Sequence, residues 1–180
     1  VGRLQDAAIE LFLEQGFERT TVDEIAQRAG LSERSFFNHF ADKREVLFGL
    51  PSQRQQEVVA REIAASAADV PPLDAVVRGL QTAADEVFDA LREPSIRRRI
   101  VIDATPQLQE REEAKRRTLA ATIATALCAR GLDTDSALLT ARAGVLIEQI
   151  AEERWTRPTE TRSLRTLLSE SRHALQAALT

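Results

Sequence analysis

Apolar residues in this chain recur three and four positions apart, and glycine or proline falls mostly between such runs. That spacing is the period of an α-helix, and no segment alternates apolar and polar residues for long enough to make a half-buried strand. The chain is therefore expected to be all-α. The first helix should run from about Arg3 to Gln15, with Gly16 as its stop, and the second from Thr21, whose spacing to Glu24 makes a capping box. A third is expected from Ser32 to near Phe40, and a fourth from Asp42 to about Leu50, where Pro51 breaks or restarts it. Longer helices are predicted at about 52–68, 73–92, 95–104, 107–130, 134–155 and 161–179. Two unequal parts emerge: an N-terminal three-helix domain, residues 1–48, and a larger C-terminal helical bundle, residues 49–180.

With 180 residues the chain can bury one good core, or one core and a small satellite domain. Its 43% hydrophobic and 29% charged content is that of a globular protein, and no apolar run approaches the length of a bilayer crossing, so no membrane partner is expected. Cys128 is the only cysteine, which excludes an internal disulfide and fits a reducing, cytoplasmic setting. Val1-Gly2-Arg3-Leu4 shows neither an initiator methionine nor a signal-peptide pattern, so a short upstream segment is expected.

Net charge is −4, and residues 1–48 hold six Lys or Arg against nine Asp or Glu. A nucleic-acid partner must then be recognised by a few placed side chains rather than by overall charge.

The arrangement of a short helix, Gly30, a few linker residues and a second short helix is that of a helix-turn-helix, in which the glycine lets two helices pack steeply. Phe36 and Phe40, four apart, point at a core with Ile25 and Leu11. The same helix then presents Arg34, Ser35 and Asn38 on its opposite face, with His39 at the edge. Arg suits the guanine edge, Asn the adenine edge and Ser either, in a major groove. Thr20, Thr21 and Lys43 sit where they would clamp phosphates on either side of the reading helix, Ser32 opens that helix, and the same polar residues could instead face solvent.

Leu4 to Leu50 resembles the N-terminal domain of the tetracycline-repressor (TetR) family. The matching residues are Ala8, Leu11, Phe12, Gly16, Phe17, Thr20, Thr21, Ile25, Ala26, Ala29, Gly30, Leu31, Ser32, Phe36, Phe37, His39, Phe40, Lys43 and Leu47. The resemblance implies a homodimer in which each third helix enters a major groove of a double-stranded operator. It also implies a C-terminal bundle that supplies the dimer contact and a pocket for a small-molecule effector. Phe37 stands where the family usually carries a tyrosine that meets a phosphate, so here it is expected to pack or to touch a thymine methyl. Many relatives offset an acidic domain with a basic N-terminal tail, so a chain carrying such a tail is expected to bind DNA more tightly than residues 1–180. Repression is the family's habit, and a helical interaction or DNA-coating protein without an effector is the competing reading.

Leu80, Val87, Phe88, Leu91, Ile100, Ile123, Leu127, Leu146 and Ile150 could line an apolar pocket, although plain core suits each of them too. Gly144, mid-helix beside Ala141, Ala143 and Val145, costs about 1 kcal/mol against alanine unless another helix comes close, which places the expected dimer seam on the last two helices. Arg97, Arg98 and Arg99 read as a solvated helix face. Glu170 and His173 have the spacing of half a di-metal site, but no second such pair exists. Neither a Gly-rich phosphate loop nor a nucleophile–base arrangement occurs, so no enzyme activity, catalytic residue, metal or cofactor is expected.

Overall fold

A computed structural model describes residues 2–179, apart from the Leu50 side chain; Val1 and Thr180, the outer limits of the two expected domains, lie outside the described residues. Every regular element among them is helical: α1 (Gly2–Gln15), α2 (Val22–Arg28), α3 (Glu33–Phe37), α4 (Gly49–Ala65), α5 (Pro72–Ala83), α6 (Arg92–Asp103), α7 (Pro106–Ala129), α8 (Thr134–Trp155) and α9 (Leu164–Ala178). No helix among the described residues is long and apolar enough to cross a membrane.

Three boundaries depart from the sequence reading. The expected helix from Asp42 does not form: the Asp42 carboxylate accepts from the Arg44 and Glu45 amides, but a 3-10 turn follows at Glu45–Leu47. Val46, Leu47 and Phe48 are all buried, and three consecutive side chains span too wide an arc of an α-helix to face one core. Pro51 lies inside α4 and Pro94 inside α6, so neither falls between helices. Each lies in the first turn of its helix, where a missing N–H leaves no bond unmade. The long helix expected at 73–92 ends at Ala83, after which the backbone widens into a π-turn at Ala84–Phe88 and tightens into a 3-10 turn at Asp89–Leu91.

The chain packs as two compact units, residues 2–50 with 93–114, and residues 51–92 with 115–179. Segment 93–114 thus belongs by packing with the N-terminal helices, which a division at residue 48 does not anticipate. In the first unit Leu4, Ala8, Leu11 and Phe12 of α1 meet Ile25, Phe36 and Phe40 in one core, joined by Val101, Ile102 and Leu108. Thr21 caps α2, with the reciprocal bond from its own amide to Glu24. Gly30 takes φ +66°, a left-handed conformation that lets the Leu31 amide reach back to the Ala26 carbonyl and turn the chain toward α3.

In the second unit α8 packs on α9, and α5 packs on both. Val58, Ile63, Leu80, Ile123, Leu127, Ile147 and Leu167 fill its core with 2% exposure or less. A Cβ added at Gly144 would stand 2.5 Å from Val76 Cγ1. The close approach that demands this glycine therefore comes from α5 of the same chain, a correction to the reading that tied it to a dimer seam.

Candidate nucleic-acid interface

The helix α3 is capped by Ser32, whose hydroxyl accepts from the Ser35 amide at 3.2 Å. Helical bonds continue past Phe37, since the Asn38 amide donates to Arg34 and the Phe40 amide to Phe36. One side of this turn is fixed by burial of Phe36 and Phe40, whose rings lie 5.4 Å apart. The other side presents Arg34, Phe37, Asn38 and His39, all exposed. Among the described residues no hydrogen-bond or ion-pair partner meets the side chains of Arg34, Asn38 or His39. Their donors and acceptors are left unspent among the described residues. Phe37 is 51% exposed and touches Phe36 edge-on, a placement that allows the apolar contact expected of it.

The candidate phosphate contacts are placed differently. Thr20 is 1% exposed, and its hydroxyl donates to the Gly16 carbonyl at 2.9 Å, so it closes the turn after α1 instead of facing outward. Thr21 is exposed, but its hydroxyl and amide both donate to the Glu24 carboxylate, at 2.9 and 2.8 Å. Those bonds hold the Glu24 carboxyl below its ordinary pKa and keep a negative charge at the start of α2. Lys43 turns inward: its Nζ donates to the Phe17 and Thr20 carbonyls at 2.6 and 2.8 Å and lies 4.2 Å from the centre of the Phe17 ring. Partial burial pushes its pKa down, against the pull of Glu18 and Glu24. Ser32 and Ser35 are paired at 3.0 Å between their hydroxyls, with Ser35 half-buried.

Two arginines stabilise this unit, Arg98, which the sequence reading set on a solvated face, and Arg111, which it did not single out. Arg98 and Arg111 lie 4.8 and 4.9 Å from the centre of the Phe48 ring. Arg98 donates to the Leu47 carbonyl at 2.8 Å and pairs with Glu112, and Arg111 forks onto Glu45 at 2.6 and 2.8 Å. Arg98 is thus no solvated charge, with its side chain only 16% exposed. A run of three arginines carries no signal of which one turns inward, because that depends on a phenylalanine fifty residues earlier.

The nine residues expected to line a pocket differ in their burial and surroundings. Leu80, Ile123 and Leu127 are core, Val87 and Phe88 pack half-buried against it, and Leu91 is half-buried in the 3-10 turn. Leu146 and Ile150 are 46% and 41% exposed and edge an apolar groove of about 260 Å³ between α8 and α9. Ile100 belongs to the first unit, where it is 55% exposed beside a cleft floored by Phe12 and Val101. No group of three or more His, Cys, Asp or Glu among the described residues is placed to hold a metal ion.

Two short helices joined through a left-handed glycine, with the second exposing Arg, Asn and His, have the arrangement of a helix-turn-helix. The family model for bacterial regulatory proteins of the tetR family matches residues 4–50 of this chain. The regulator TcmR of Streptomyces glaucescens is 56% identical over 39 residues, 22% of this chain and 17% of that protein. Stretches matched in the first curated relatives span 17% to 40% of their own lengths. Likeness extends further among solved structures. The TetR-family repressor FadR of Thermus thermophilus, solved with lauroyl-CoA, is 25% identical at a TM-score of 0.53, covering 97% of this chain and 92% of that one. The fatty acid degradation regulator FadR of Bacillus halodurans shares the fold, with a TM-score of 0.59 at 18% identity over 97% of this chain and 93% of that one.

Proposed function

We propose that the chain is a homodimeric, ligand-responsive transcriptional repressor of the cytoplasm, which holds a palindromic operator through α3 and releases it when a small molecule binds. The observation that carries this reading is the face of Arg34, Asn38 and His39, exposed and without partners beside a helix fixed by two buried phenylalanines. Arg34 and Asn38 read base edges, Ser35 and His39 assist, and Phe37 packs on a thymine methyl. Residues 1–48 are the DNA-reading part and residues 49–180 the sensing and dimerising part. The phosphate-clamping role is withdrawn from Thr20, whose hydroxyl is spent on the Gly16 carbonyl, and from Lys43, which spends two of its three N–H donors on the Phe17 and Thr20 carbonyls.

The dimer seam is assigned to α8 and α9. Leu139, Leu146 and Ile150 repeat along one exposed face of α8, beside Ala174 and Leu175 of α9, and an apolar stripe of this kind is what an isologous helix pair buries. In such a dimer the reading helices must stand about 34 to 36 Å apart to enter successive major grooves. An effector acts by binding unequally to conformations that differ in this spacing. The lauroyl-CoA complex of the Thermus thermophilus repressor supports an acyl-chain compound as the first effector class to try. Footprinting on a selected operator, followed by addition of acyl-CoAs of graded chain length, tests the reading. Protection of both half-sites that is lost with one chain-length class is the expected result. Protection that no compound relieves would favour a DNA-coating protein without an effector, and uniform protection of any duplex would overturn the operator reading.

A further inference from the structure

The polar residues of α5 and α9 face each other as an antiparallel ladder. Arg172 donates to Asp74 at 2.7 Å, Gln81 to the Ser169 hydroxyl at 2.7 Å, and Arg165 to Asp85, just beyond α5, at 2.7 Å. Each of these rungs matches a donor with an acceptor. Arg78 lies on the same α5 stripe, four residues from Asp74 and three from Gln81, and His173 lies next to Arg172 and four from Ser169. Both line a cleft of about 200 Å³ between the two helices, together with Gln81, Ser169 and the Asp74–Arg172 pair. Among the described residues neither Arg78 nor His173 has a hydrogen-bond or ion-pair partner.

We infer that this cleft is a binding site for a small oxyanion, a phosphate or carboxylate group. The rung it occupies opposes a guanidinium to an imidazole with no carboxylate between them, in a ladder whose other rungs each pair a donor with an acceptor. The acid of the cleft, Asp74, is committed to Arg172, so the unspent charge there is positive, in a chain whose net charge is −4. Ser169 accepts from Gln81 and keeps its own O–H to give. An oxyanion seated there receives the Arg78 fork, an imidazole N–H and the Ser169 hydroxyl, three donors converging from two helices. The inference goes beyond DNA binding and does not rest on it, because every residue involved belongs to α5 or α9.

The chain holds two histidines, so imidazole resonances report the site directly once His39→Gln has assigned them. Residues 1–180 are titrated with sodium phosphate and separately with sodium acetate, at constant pH and with ionic strength held by sodium chloride. The expected result is a saturable movement of the His173 signal, weakened about tenfold or more in Arg78→Ala, the loss that follows removal of one charge-assisted bond. Tighter saturation by phosphate assigns a phosphate-bearing ligand, and tighter saturation by acetate a carboxylate. Arg78 is exposed, and an unchanged circular dichroism spectrum confirms that its variant folds. Movement that follows ionic strength alone, or that is the same in Arg78→Ala, overturns the assignment.

Discussion

Arg34 and Lys43 are both cations of the N-terminal domain, yet they do different work. Arg34 projects from α3 with its guanidinium unspent. Arg34→Ala should weaken operator binding by about 1 to 3 kcal/mol and relax preference at one base pair, leaving binding to random DNA nearly unchanged. Competition assays with single-base operator variants measure this, and equal loss on operator and random DNA would contradict it. Lys43 holds the Phe17 and Thr20 carbonyls, so Lys43→Ala should lower domain stability by about 1.5 to 3 kcal/mol in urea denaturation. The salt dependence of DNA binding should not change, whereas a phosphate contact would reduce its slope by about one. The outward face of α3 was legible because two phenylalanines four apart leave only one other side. The inward turn of Lys43 and Thr20 was not, since a side chain of either type serves a carbonyl or a phosphate equally well and only the fold decides.

Helix α8 shows how an element is fitted to its neighbour. Gly144→Ala drives a methyl into Val76 and should destabilise the chain by about 1 to 3 kcal/mol, and Val76→Ala in the same molecule should recover part of that loss. Additive losses in a double-mutant cycle would rule out this contact as the reason for the glycine. At the start of α2 the Glu24 carboxyl is kept below its ordinary value by the Thr21 amide and hydroxyl. Its contribution is present above the unfolded-state carboxylate pKa and is lost as pH falls through the depressed folded value. NMR titration should find Glu24 titrating below the ordinary glutamate value, and Thr21→Val should return it toward that value. The caps at Thr21 and Ser32 and the turn at Gly30 were readable because each is local. The π-turn at Ala84–Phe88 and the 3-10 turn at Glu45–Leu47 were not, because packing imposes them on sequences whose local preference is plain helix.

At the scale of the whole molecule, the all-helical class followed from periodicity, while membership of 93–114 in the first unit did not. That membership rests on Arg98 and Arg111 closing over Phe48, contacts between residues fifty or more positions apart. A dimer through α8 and α9 should be weakened by charge on its apolar stripe. Leu146→Glu should shift the chain toward monomer in analytical ultracentrifugation and lower operator affinity in parallel, whereas an unchanged dimer would place the seam elsewhere. The proposed reading of a specific operator by a dimer through α3 is checked by selecting bound duplexes from a random pool. The expected product is an inverted repeat whose half-sites lie one helical turn or a multiple apart, with the preferred base altered at one symmetric pair of positions in Arg34→Ala. Recovery of duplexes without a shared motif would contradict it.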